Sequence, residues 1–178
     1  MNYYAGIGSR DTPADIMEIM TNIASVLENH NYILRSSGAK GADSAFEVGV
    51  QIETNKEIYL PWKEFNNSTS ELYLDNIKES KYTTAYLMAE KFYHSNLSKA
   101  SSNTIKYMTR NSFQIMGLDF MEPSEFVVCW TKDGKASGGT GQAIRIAEFY
   151  QIPVFNLKNV IDRELLSYKI SEIKNEAC

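Results

Sequence analysis

Two glycine-rich loops each stand where an apolar run gives way to a helical pattern, and nothing else in the chain constrains its fold as strongly. Near the N-terminus Tyr3-Tyr4-Ala5 runs into Gly6-Ile7-Gly8-Ser9-Arg10. Far downstream Phe126-Val127-Val128-Cys129-Trp130 leads to Ser137-Gly138-Gly139-Thr140-Gly141. At such a strand-to-helix turn the first backbone N–H groups of the helix lack partners, and the helix dipole is positive. The result is an anion site that needs no charged side chain. Two of these loops in one small domain point to a ligand with phosphate or ribose-phosphate parts.

The first half of the chain alternates strand and helix. Residues 2–8 read as a strand, after which Thr12 caps a helix with Pro13 in its first turn. Ile16, Ile19, Met20, Ile23 and Leu27 then recur at three- and four-residue spacing, a core-facing stripe. Tyr32-Ile33-Leu34-Arg35 is a second strand, and residues 36–43 turn into a helix carrying Ala45, Phe46 and Val50. Glu57-Ile58-Tyr59-Leu60 is a third strand, closed by Pro61. Residues 62–80, rich in Asn, Ser, Glu and Lys, read as a mobile excursion or lid.

Helices are expected over 81–94 and 98–118. The second places Ile105, Met108, Ser112, Ile115 and Met116 on one face, with Asn103, Lys106, Arg110 and Gln114 opposite. That polar stripe faces either solvent or a ligand cleft. A strand over 125–130, a helix with Ala143, Ile144 and Ala147, a strand over 153–157 and a helix over 160–173 complete the pattern. It predicts one α/β domain over 1–178: a Rossmann-like, mainly parallel sheet with helices on both faces. In such sheets the ligand sits at the carboxyl ends of the strands.

Composition removes several classes of function. A net charge of −4 lacks the basic footprint of a duplex nucleic-acid binder, so nucleic acid is not the expected partner. The two cysteines, Cys129 in an apolar strand and Cys178 at the last position, do not make a disulfide framework; Cys129 reads as a buried small hydrophobe and Cys178 as part of a frayed tail. Metal-ligand spacings such as C-x-x-C are missing, and the histidines are His30 and His94, so neither a metal site nor a cofactor is expected. No apolar run approaches the ~20 residues that cross a bilayer, and no charged-then-apolar leader opens the chain. A cytoplasmic protein without a membrane partner is the expectation.

Each loop has a bland and a functional reading. Gly6 and Gly8 form either a tight turn or half of a dinucleotide fingerprint, whose third glycine is replaced by Asp11. Ser9 and Arg10 tilt that loop toward phosphate, which a guanidinium binds in a fork. In Ser37-Gly38-Ala39-Lys40-Gly41-Ala42-Asp43, Asp43 either caps a helix or accepts from ribose hydroxyls, and Glu47 lines the same pocket or a solvated face. The three glycines of the second loop carry a backbone entropy cost that mere connection does not explain, so Ser137, Gly138, Gly139, Thr140 and Gly141 read as a phosphate cradle. Lys132 and Lys135 stand near it. Tyr59, Trp62 and Phe65 pack in the core or stack on a base, with Trp62 the expected ligand contact.

Taken together, Tyr4-Ala5-Gly6-Ile7-Gly8-Ser9-Arg10 with Thr12-Pro13, Ser37 to Asp43 with Phe46-Glu47, Tyr59-Leu60-Pro61-Trp62 and Gly138-Gly139-Thr140-Gly141 resemble the SLOG superfamily over residues 3–157. That group of Rossmann-like nucleotide-binding proteins includes the Lonely Guy phosphoribohydrolases and DNA-processing protein A, and this chain looks most like small bacteriophage-type members. The resemblance implies a nucleotide-derived ligand and a homo-oligomer, with the helices over 81–118 offering a surface for pairing. It also implies an arginine on a helix ahead of a P-G-G-x-G-T-x-x-E loop, matched here by Arg110. The loop departs from that pattern: Ser137 replaces the proline, Gln142 the threonine, and Arg145 the catalytic glutamate. Glycoside hydrolysis needs a carboxylate, for which Asp43, Glu47 and Glu148 are the available substitutes; the candidate catalytic residues are Arg110, matching the family arginine, with Asp43 and Glu148. The expected function is therefore capture of an ADP-ribose-like or cyclic nucleotide signal, as a phage-type sponge of bacterial immune signalling; the alternative is an N-glycosidase acting on nucleoside monophosphates.

Overall fold

Successive apolar residues in the strands follow from a sheet covered on both faces, where neither alternate side chain meets water. The computed structural model describes residues 1–176; the expectation for Cys178 lies outside the described residues. Strands β1 (Asn2–Gly8), β2 (Tyr32–Ser36), β3 (Lys56–Ile58), β4 (Phe126–Trp130) and β5 (Val154–Asn156) form one sheet in the order β3-β2-β1-β4-β5. Every pairing is parallel. The helices are α1 (Ala14–Glu28), α2 (Ala42–Gly49), α3 (Glu79–Phe92), α4 (Ser102–Met116), α5 (Gly138–Phe149) and α6 (Val160–Glu176).

Alternation along β1 divides the core. Tyr4 joins Leu34 and Val128 in packing with Met20 and Leu27 of α1, Phe46 of α2 and Leu166 of α6. Ala5 and Ile7 join Val127 and Cys129 on the other face, with Met116 of α4 and Ile146 of α5. Cys129 is the small buried hydrophobe expected, and burial pushes its thiol well above the ordinary range.

Gly6 belongs to this packing. A Cβ built there meets Phe46 Cγ at 2.6 Å and Leu34 Cδ1 at 2.8 Å, so the residue lets α2 lie against β1. Its assignment to the ligand site is corrected: the position is closed by a phenyl ring. Gly6→Ala is expected to cost about 1–3 kcal/mol in urea unfolding, the usual effect of overpacking, with ligand affinity unchanged. A large affinity loss at full stability would reverse the assignment.

Other local readings change as well. Thr12 does not cap α1; its Oγ1 donates to the Ser9 carbonyl at 2.7 Å, and Pro13 stands at the cap in extended backbone. At α4, Ser101 caps the helix and accepts from the Thr104 N–H at 3.2 Å. The polar stripe of α4 also turns inward. Every residue from Met108 to Met116 is buried, including Arg110 and Gln114, because α3 and α5 flank the helix. Asn103 alone of that stripe is exposed, while Lys106 pairs with Asp75 at 3.6 Å.

Beyond β3 the excursion is tied to the sheet edge. Leu60 bridges Tyr73, its N–H donates to the Leu72 carbonyl at 2.8 Å, and Phe65 and Leu74 are buried. Glu64, Asn66 and Asn67 have φ of 58°, 50° and 63°, a left-handed cluster that asparagine tolerates and glutamate does not favour. Large exposed apolar side chains concentrate on α6 (Val160, Ile161, Leu165, Tyr168), whereas α3 contributes Leu87.

Candidate functional site

Chain connections diverge between β1 and β4. From β1 the chain moves outward through β2 to β3, and from β4 it moves the other way to β5. Loops leaving the carboxyl ends of β1 and β4 therefore part, and crevices open at such switch points in parallel sheets. A cleft of about 500 Å³ lies there, within the ~300–1,000 Å³ range of small-molecule sites. The carboxyl end of β1, Asp43 of α2, the buried face of α4 and the start of α5 all reach it.

The second glycine loop supplies one wall of the cleft. Helix α5 begins at Gly138 after Ser137, and its first intrahelical bond runs from the Gly141 N–H to the Ser137 carbonyl at 2.9 Å. The N–H groups of Gly138, Gly139 and Thr140 have no hydrogen-bond partner among the described residues. All three residues line the cleft. Gly138 sits at φ +61°, and a Cβ there meets nothing within 4 Å; one at Gly139 meets only Met108 Cε at 3.6 Å. Those two glycines are therefore not demanded by packing. Gly141 is: its Cβ would stand 2.4 Å from the Ala136 carbonyl, so it serves the tight entry to α5 and does not line the cleft.

The first glycine loop works differently from an open cradle. Its Gly8 N–H donates to Asp43 Oδ1 at 3.0 Å and its Ser9 N–H to the Trp130 carbonyl at 3.1 Å. The protein's own carboxylate occupies the place where an anion would sit. What this loop offers the cleft is the side chain of Arg10, exposed at the rim with its guanidinium 5.5 Å from the centre of the Tyr107 ring.

Asp43 and Arg110 form the floor. Asp43 neither caps α2, where Gly41 holds the cap position, nor reaches solvent. Besides the Gly8 N–H it accepts from Ser37 Oγ, and from Gln114 Nε2 at 3.4 Å. Burial raises its pKa, opposed first by the nearby Arg110 charge and then by these donors. Burial likewise lowers Arg110, to about 10, so the guanidinium stays charged at neutral pH. Arg110 donates from Nη1 to the Ser37 carbonyl at 3.2 Å and from Nη2 to Asn111 Oδ1 at 3.0 Å, while its Nε has no hydrogen-bond partner among the described residues. Asn111 in turn donates to the Gly139 carbonyl at 3.2 Å and to Gln142 Oε1 at 3.1 Å, linking the floor to the α5 wall.

Gly8, Ser9, Arg10, Asp43, Arg110, Ser137, Gly138, Gly139 and Thr140 thus meet around one cleft, and Lys132 stands at its edge. Ser37 stands behind Asp43, and Gly38 borders a second groove beside Glu47. Trp62 packs on Tyr107 with ring centres 5.6 Å apart and does not line the cleft; Tyr59 is buried against Phe113. Glu148 is exposed near the end of α5, away from the cleft, so it is set aside as a catalytic candidate. Arg145, at the expected glutamate position, donates to the Phe92 and Ala136 carbonyls and braces the loop.

Sequence reasoning missed Tyr107, Asn111 and the buried role of Gln114. Their signal was present: Tyr107, Arg110, Asn111 and Gln114 fall at i, i+3, i+4 and i+7, one helical face. Among the described residues, no group of three His, Cys, Asp or Glu is placed to hold a metal ion. No helix of these residues is long and apolar enough to cross a membrane.

Strand order and crevice together describe a Rossmann-like domain. The fold is similar to that of DNA processing protein A. The structure from Helicobacter pylori matches with a TM-score of 0.53 at 17% identity, covering 95% of this chain and 73% of that one. At that identity the likeness to DNA processing protein A shows the fold alone; that protein binds single-stranded DNA. No family model and no curated protein sequence matches the chain.

Proposed function

We propose that the cleft binds a nucleotide-derived small molecule, with its phosphate on the α5 N-terminus. The carrying observation is the pairing of three unpartnered α5 amides with the buried, charged Arg110 across one cleft. Backbone N–H groups at a helix start and a guanidinium are complementary to phosphate oxygens. Tyr107, whose ring lies close to both Arg10 and Arg110, is the aromatic side chain that lines the cleft and would meet a base or ribose. The ligand class is an ADP-ribose-like or cyclic nucleotide signal, and the role is its capture in the cytoplasm, as the SLOG resemblance implies for a phage-type sponge. A homo-oligomer belongs to the same reading, and native mass spectrometry counts its subunits.

A second reading rests on Asp43, a buried carboxylate in the cleft beside Arg110. It is the one acidic candidate placed to stabilise an oxocarbenium-like state in N-glycosidic cleavage of a nucleoside monophosphate. Isothermal titration with ADP-ribose, cyclic nucleotides and nucleoside monophosphates, followed by chromatography of the recovered ligand, separates the two. Intact ligand supports capture; free base released with turnover supports the glycosidase. Arg10→Ala is expected to weaken binding at least about tenfold with no change in unfolding midpoint, because Arg10 is exposed. A single-stranded oligonucleotide, the ligand class of DNA processing protein A, is the third arm. Salt-sensitive binding to it with none to small nucleotides overturns the proposal.

A further inference from the structure

One peptide unit behind the floor of the cleft is gripped from both sides. The Ser37 carbonyl accepts from Arg110 Nη1 at 3.2 Å, and the Gly38 N–H of the same amide donates to Glu47 Oε1 at 2.7 Å. The next carbonyl, that of Gly38, accepts from Asn66 Nδ2 at 2.9 Å. Side chains of α4, α2 and the excursion thus converge on two consecutive peptides. Carbonyl and N–H of one amide are joined by resonance, so a stronger acceptor on the N–H makes the carbonyl a stronger acceptor for Arg110.

Glu47 does not line the cleft. It stands half-buried one turn after Asp43, in an adjoining polar groove. The charged groups around it are Asp43 on its own helix, Arg110 from α4 and Lys56 from β3. Lys40 and Glu53 border the same groove, and Glu53 pairs with Lys56 at 2.9 Å.

We infer that Glu47 is a positioning residue for the cleft, and that anion binding there is coupled to a proton on Glu47 through the Ser37–Gly38 peptide. The coupling rests on the anion-binding reading of the cleft. Its direction follows from charge. Burial lifts Glu47 to about 7, opposed by the Gly38 N–H and reinforced by Asp43, so the carboxyl changes state near neutrality. Ionised, it places a negative charge near Arg110 and offsets the attraction of that guanidinium for an anion. Protonated, it leaves the attraction whole. Anions therefore bind more tightly below pH 7 than above it, and a bound anion raises the Glu47 pKa in return.

Sulfate is the probe, because its charge is constant between about pH 5.5 and about pH 8.5 and any pH dependence belongs to the protein. At fixed ionic strength, wild-type affinity read by amide chemical shifts is expected to fall about threefold to tenfold from pH 6 to pH 8. In Glu47→Gln, which keeps an acceptor for the Gly38 N–H, the profile is flat. Without sulfate, the Gly38 amide and Arg110 Nε–H signals shift together with a midpoint near that of Glu47, and the shift is absent in the variant. Sulfate binding with a flat wild-type profile overturns the coupling alone. A slope that persists in Glu47→Gln assigns the proton to another group, Asp43 first, and also overturns it. Absence of sulfate binding at every pH overturns the cleft reading, and the coupling falls with it.

Discussion

Gly139→Asp is expected to abolish phosphate and nucleotide binding, by about 100-fold or more, while the protein unfolds as the wild type does. The position is open: a Cβ there meets only Met108 Cε, at ordinary contact distance, 3.6 Å. Asp is welcome in the first turn of a helix, where it meets the positive end of the dipole. The attraction that keeps the fold intact removes the ligand, because the new carboxylate takes the N–H groups a phosphate needs. Gly139→Ala is the control, adding the methyl without the charge, and retains binding within a few-fold. Titration calorimetry and urea unfolding on the two variants separate charge from bulk. Equal loss in both would mean that the glycine serves access, and the amide cradle would be abandoned.

Arg110→Met should lose ligand binding and about 3–5 kcal/mol of stability together. Asp43 would then be buried beside Ser37, Gln114 and the Gly8 N–H without its countercharge. The pH dependence has a definite sign. Burial already raises Asp43, and removal of Arg110 raises it further. A carboxyl whose pKa is higher folded than unfolded destabilises the fold as pH rises from its unfolded value through its folded one. The variant's deficit is therefore largest near neutrality and shrinks toward the ordinary carboxylate range. Adding Asp43→Asn restores most of the stability at neutral pH but none of the binding. Urea unfolding from pH 4 to pH 8 on single and double variants reads this directly, and a pH-independent deficit would place the cost in packing.

Local signals in the chain were enough for the elements. Apolar runs marked β1, β4 and β5, three- and four-residue spacing marked α1, and glycines marked where two strands turn. Each of these depends on neighbours within a turn or two. The candidate site was legible where its chemistry is also local: the α5 N-terminus presents free amides to the cleft because a helix start leaves its own amides unpaired. The Gly6-x-Gly8 loop looked the same by sequence and is not, since Asp43, 35 residues from Gly8, has already taken its N–H.

The chain alone, then, determined a parallel α/β sheet and a glycine-rich helix start at α5, because periodicity and glycine placement act over short range. Tertiary structure decided which glycines face the cleft, turned the polar face of α4 into it, and chose Tyr107 over Trp62 as its aromatic wall. It also joined Glu47 to Arg110 through one amide. Each of those outcomes depends on which distant segment covers a given surface, and covering is a property of packing between helices that no single helix encodes.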